Sequence, residues 1–139
     1  MDKNGPVLII EDDADDQEIL RLVFKKLDYP NEVIFFNDGD EALLYLKDLR
    51  IKPFLILSDI NMPKLNGMEL RDKIFNDAQL NLRCIPYLFF TTCAEQPIVI
   101  KAYSKSVQGF FVKPGGFSEI EETMSLIMRY WKECHSPAL

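Results

Sequence analysis

The sequence predicts an α/β fold, a doubly wound sheet of five parallel strands flanked by five helices. Short apolar runs alternate with helix-periodic segments five times along the chain. Most of these runs are apolar throughout rather than alternating, as strands covered on both faces are. Right-handed crossovers between such strands then place helices on both sides of the sheet.

Each element has its own signal. "VLII", Val7–Ile10, is the first strand, and "EDDADD" follows it at once. Ile19, Leu20, Val23, Phe24 and Leu27 recur at helical spacing. "EVIFFN", Glu32–Asn37, is the second strand. Asp38 is placed to cap the next helix, with Ala42, Leu43, Leu46 and Leu49 on one face. The third strand, Phe54–Ser58, runs into Asp59, Asn61, a Met62-Pro63 pair and Gly67. From about Gly67 a helix turns Leu70, Ile74 and Phe75 inward, and "DAQLNLRCIP" reads as a loop. "YLFFT", Tyr87–Thr91, is the fourth strand, and a short helix from about Pro97 to Ser104 presents Val99, Ala102 and Tyr103. "GFFV", Gly109–Val112, is the fifth strand. Ser118 and Glu121 read as a capping box for a last helix that buries Ile120, Met124, Ile127 and Trp131.

Bulk composition narrows the function classes. A chain of 139 residues, 47% of them hydrophobic, suits one domain, with its core over about 6–133 and short tails at both ends. No linker to a second domain is read in it. No apolar run is long enough for a membrane span, and "MDKNGP" lacks a signal-peptide pattern. A net charge of −6 argues against nucleic acid, because phosphate binding needs a basic face. Cys84, Cys93 and Cys134 lie far apart without metal or redox spacing, which fits a reducing, cytoplasmic setting. His135, in the tail "HSPAL", reads as a solvated residue.

In a doubly wound sheet ligands bind beyond the carboxyl ends of the strands. Here the first strand ends on Glu11 and Asp12, the third on Asp59, the fourth on Thr91 and Thr92, and the fifth on Lys113. Singly, each has a plain alternative: an Asp after a strand is commonly a turn residue or cap, and Lys113 could be a solvated strand end. Jointly, three acids on one rim repel and call for a counter-charge. One lysine cannot balance them, whereas carboxylates, a backbone carbonyl and waters are how proteins hold Mg²⁺. An exposed carboxylate beside a metal can attack phosphorus and become an acyl phosphate. Asp59 is placed for that attack. Mg²⁺ on Asp12 and Asp59, Lys113 and the Thr91 hydroxyl would position and neutralise the phosphoryl oxygens. The turn after Asp59 leaves the carbonyl of Asn61 free to face the metal.

These blocks resemble the receiver domain of two-component response regulators through nearly the whole chain: "VLIIEDD", "LILSDINMPKLNGMEL", "LFFTT" and "GFFVKP". The resemblance implies a flavodoxin-like sheet in strand order 2-1-3-4-5, in a stand-alone receiver. It implies Asp59 as phosphoacceptor, Asp12 as a direct Mg²⁺ ligand with Glu11 acting through water, and Asn61 giving its main-chain carbonyl. Thr91 becomes the switch hydroxyl, Lys113 the family lysine and Phe110 the switch aromatic, with a cis Lys113-Pro114 peptide. The implied partners are a histidine kinase or phosphotransfer protein and a downstream protein, or a second copy in a homodimer. The implied output is a change of binding surface, for which Ile98, Ile100 and Phe111 are candidates alongside core burial.

Three features depart from the family pattern. Phe110 has no hydroxyl, Gly115 and Gly116 loosen the loop after Lys113-Pro114, and Cys93 stands two residues past Thr91. For Cys93 a small side chain is the simpler reading than a redox role. Three other functions compete with a receiver. An aspartyl-nucleophile phosphatase would want an acid at Asn61. A flavodoxin-like cofactor binder would be repelled by "EDDADD". A receiver-like interaction domain without phosphorylation would not need the full set of site residues.

Overall fold

The computed structural model describes residues 1–137. Eleven elements follow in order: β1 (Val7–Ile10), α1 (Ala14–Leu27), β2 (Val33–Phe36), α2 (Gly39–Leu46), β3 (Leu55–Ser58), α3 (Gly67–Asn76), α4 (Ala78–Leu82), β4 (Tyr87–Thr91), α5 (Gln96–Ser104), β5 (Gly109–Val112) and α6 (Phe117–Glu133). The strands form one parallel sheet in the order β2-β1-β3-β4-β5. Among the described residues no helix is long and apolar enough to cross a membrane.

Strand alternation sorts the core into two layers. Leu8, Ile10, Ile56, Tyr87 and Phe89 face one side, under α2, α3, α4 and α5. Val7, Ile9, Leu55, Leu57, Leu88 and Phe90 face the other, under α1 and α6. Each aliphatic side chain removed from water there contributes about 1.5–3 kcal/mol, before conformational entropy offsets most of the sum.

Several expectations need correction. A sixth helix, α4, occupies the segment "DAQLNLRCIP" that the sequence pattern leaves as a loop. Asp77 caps it, accepting from the Gln79 and Leu80 amides at 3.0 Å each, and Leu80 is buried. A cap and one buried leucine suffice for a single turn, too short to show periodicity. The Ser118–Glu121 capping box does not form. The helix begins two residues earlier, with Gly116 at the N-cap and no side-chain cap, and Glu121 pairs with Lys26 at 3.0 Å. A box exists instead at Asn66 and Glu69, ahead of α3. Leu49 lies beyond the end of α2, and Phe75 and Tyr103 face outward. Phe75 is one residue past buried Ile74, a turn of about 100° away from the core, and Arg71 covers its ring. The Lys113-Pro114 peptide is trans, the isomer that an X-Pro bond favours by about 0.5–1 kcal/mol. Of the residues whose facing was open, Ile98 and Phe111 are half-buried against opposite core layers, whereas Ile100 is exposed.

Candidate functional site at the carboxyl rim of the sheet

Parallel strands deliver their carboxyl ends to one edge, and the ladder continues past the assigned strands. The Asp59 amide donates to the Ile10 carbonyl at 3.0 Å, the Glu11 amide to Phe36 at 2.9 Å, and the Lys113 amide to Thr91 at 2.8 Å. Main-chain bonding thus fixes Glu11, Asp59, Thr91 and Lys113 on one rim. Carboxylate oxygens of Glu11, Asp12 and Asp59 lie within 4.8 Å of one another. Hard oxygen donors in that number and spacing suit a divalent cation such as Mg²⁺. Asp12 is exposed, Asp59 half-buried and Glu11 buried. Asn61 is exposed in the turn that follows, two residues past Asp59.

The Lys113 ammonium sits inside this cluster. It donates to Glu11 Oε1, to Asp59 Oδ2 at 2.9 Å and to Asp16 Oδ2 at 3.0 Å. Burial works against its charge, but hydrogen bonds to the three carboxylates outweigh it and raise its pKa. Glu11 shows the opposite balance. Burial pushes its carboxyl up to about 7, with the Asp59 charge adding to the effect, although Lys113 and the Asp13 amide pull it down. The ammonium therefore neutralises the rim only in part.

The backbone of Asp59 is locked from behind. Ser58 Oγ donates to the Asp59 carbonyl at 2.7 Å, and the Gly67 amide donates to the Ile60 carbonyl at 2.8 Å. A Cβ on Gly67 would lie 2.1 Å from the Asp59 carbonyl oxygen, so only glycine admits this approach. Buried Tyr87 donates its hydroxyl to the Gly67 carbonyl at 2.8 Å. The carboxylate is oriented too: the Ile60 amide donates to Oδ1 at 2.7 Å, while Lys113 takes Oδ2. A rigid acid with a metal-sized acidic cluster beside it can act as a nucleophile toward phosphorus.

Thr91 is buried, and its hydroxyl accepts from the Cys93 amide at 3.3 Å. Phe110 is half-buried, edge-on to Phe89 at 6.1 Å, and packs on the core layer of α2, α3 and α5. Glu11, Asp12, Asp59, Thr91 and Lys113 therefore gather at the rim, with Asn61 in the turn after Asp59, and Phe110 lies three residues back along the strand leading to Lys113.

Four contributors escaped the sequence reading: Asp16, Ser58, Tyr87 and Arg71. Asp16 had a signal, because it closes the acidic run "EDDADD" that follows the first strand and lies in the first turn of α1. Arg71, buried on α3, donates to the carbonyls of Lys105 and Ser106 at 2.9 and 2.8 Å and lies over the Tyr87 ring at 5.6 Å. Nothing in the local sequence separates it from a solvated helix residue.

Comparison with known proteins agrees with this geometry. A family model described as "Response regulator receiver domain" matches residues 7–125. The chain is 29% identical over 129 residues to the probable methanogenesis regulatory protein FilR2 of Methanothrix harundinacea, covering 90% of this chain and 82% of FilR2. By contrast it spans 17% of the rice two-component response regulator-like PRR37. Its fold matches the phosphorylated cyanobacterial phytochrome response regulator RcpA with a TM-score of 0.87 at 25% identity, over 97% of this chain and 99% of RcpA. It matches the Mn²⁺-bound form of response regulator Rcp1 with a TM-score of 0.83 at 27% identity, over 96% and 99% of the two chains. On the strength of the matched residues and the rim that they build, the chain belongs to the family of response regulator receiver domains.

Proposed function

We propose that the protein is a phosphoacceptor switch in which Asp59 takes a phosphoryl group from the phosphohistidine of a histidine kinase or phosphotransfer protein. The observation that carries this reading is the placement of Asp59: one carboxylate oxygen lies 2.9 Å from the Lys113 ammonium, and the group shares a 4.8 Å cluster with Glu11 and Asp12. An Asp59 oxygen attacks phosphorus, the P–N bond breaks, and its electron pair remains on the imidazole, which takes up a proton from solvent. Asp12, Asp59 and the Asn61 carbonyl would hold Mg²⁺, with Glu11 acting through water, and the ion would supply charge neutralisation for the phosphoryl oxygens. The Mn²⁺-bound state of the similar Rcp1 supports a divalent cation at this rim. Lys113 would hold one phosphoryl oxygen and the Thr91 hydroxyl another. The domain acts only on its own phosphoryl group, and phosphoryl lifetime would be set by water access at the rim.

Engagement of Thr91 would draw its strand end toward the phosphoryl group, and Phe110 would follow into the space vacated. The surface of α5, β5 and α6 would change, altering the binding of a downstream protein or a second copy of the chain. Exposed Ile100, Tyr103 and Val112 lie on these elements. A cytoplasmic location fits the phosphodonor. The test is incubation with acetyl phosphate and Mg²⁺, read by intact mass. Wild type should gain one phosphoryl group and Asp59→Asn none. Equal labelling of Asp59→Asn would refute the assignment, and an unlabelled wild type would favour an interaction domain that works without phosphorylation.

A further inference from the structure

Lys113 has a third partner that the phosphoacceptor mechanism does not use. Its three N–H donors are directed to three carboxylates: Glu11, Asp59 and Asp16. Glu11 and Asp59 belong to the acidic cluster that suits a cation, and Asp16 does not. Asp16 stands in the first turn of α1, anchored by its amide, which donates to the Asp13 side chain at 3.0 Å. Its carboxylate reaches Lys113 across 97 residues of sequence. It is also the most exposed of the three, with 37% of its side-chain surface accessible against 3% for Glu11 and 13% for Asp59.

This arrangement has a consequence for a cation. A divalent ion drawing on Glu11 and Asp59 competes with the ammonium for those same two carboxylates. An ammonium held by these two alone would oppose the ion or be pushed out of the rim. With Asp16 as a third anchor it can lean outward and stay within reach of Asp59. We propose that Asp16 is a positioning residue for Lys113, keeping the ammonium at the rim while its other two partners are engaged by Mg²⁺. The proposal rests on the phosphoacceptor reading, because it assigns the cation to the same cluster. A merely structural Asp16 would serve the helix as an acid near the N-terminus, adding stability without regard to Lys113.

A double-mutant cycle separates the two roles. Mg²⁺ affinity is measured by titration calorimetry for wild type, Asp16→Asn, Lys113→Met and the double variant, with no phosphodonor present. Asp16→Asn should weaken Mg²⁺ about two- to fivefold, the equilibrium worth of a partly exposed ion pair. In the Lys113→Met background the same change should have a clearly smaller effect, since no ammonium remains to be positioned. Asp16→Glu, which keeps the charge, should recover part of the loss. An equal weakening in both backgrounds would overturn the proposal, as Asp16 would then act on the cation through its own charge. An Asp16→Asn protein with unchanged affinity would overturn it as well. Failure of the phosphoacceptor reading looks different: wild type itself would neither bind Mg²⁺ nor accept a phosphoryl group.

Discussion

Replacing Lys113 by Met removes the only cation found against the rim carboxylates among the described residues, and the cost can be worked from its partners. The side chains of Lys113, Glu11 and Asp59 are 10%, 3% and 13% exposed, so these pairs lie near the buried limit, whereas Asp16, at 37%, behaves more as a surface partner. Breaking a buried pair by deleting one member costs about 3–5 kcal/mol, and a surface pair adds about 0–1 kcal/mol. Glu11 offers a relief: burial has already lifted its carboxyl to about 7, so it can take up a proton when the ammonium is lost. Near pH 8 the native Glu11 is ionised, and the variant should be less stable by about 3 kcal/mol. Near pH 5.5 Glu11 is already protonated in the native chain, and the loss should shrink to about half. Lys113 stays charged at both values, because its own pKa is raised above 10.5. Mg²⁺ should then repair the variant more than it helps wild type, since no ammonium competes; a tenfold excess over Kd is worth about 1.4 kcal/mol. Urea denaturation at the two pH values, with and without Mg²⁺ at constant ionic strength, measures all of this. A loss under about 1 kcal/mol at pH 8, or one equal at both pH values, would refute the reasoning.

Further outcomes follow from the same structure. Arg71→Met should destabilise by about 3 kcal/mol, because two carbonyls at the end of α5 lose charge-assisted bonds; hydrogen exchange should rise around Lys105 and Ser106, and an unaffected loop would remove Arg71 from that role. Gly67→Ala should cost more than about 2 kcal/mol in chemical denaturation and impair labelling of Asp59 by acetyl phosphate, because its methyl meets backbone rather than a movable side chain. The raised carboxyl of Glu11 means that folding takes up a proton between the ordinary value of 4.5 and about 7. Its contribution is fully present below 4.5 and fades as pH climbs through about 7, so metal-free stability should decline across that window in wild type and not in Glu11→Gln.

Much of the site was legible before any coordinates. Val7–Ile10, residues 55–57 and residues 87–90 are apolar throughout because both faces of their sheet are covered, the pattern of parallel strands. Parallel strands share one carboxyl rim, so Glu11, Asp12, Asp59, Thr91 and Lys113 could be assigned to a common site from position alone. What the sequence determined by itself was therefore the fold class and the edge on which the candidate site lies. Tertiary structure decided which charge meets which. Asp16 reaches Lys113 across 97 residues, Arg71 reaches Ser106 across 35, and Tyr87 reaches Gly67 across 20. The same level of structure turned Phe75 outward and set the start of α6 at Phe117. Hydrophobic periodicity records the average burial of one face of one element. A contact between single side chains on separate elements depends on how those elements pack, and no local pattern carries that information.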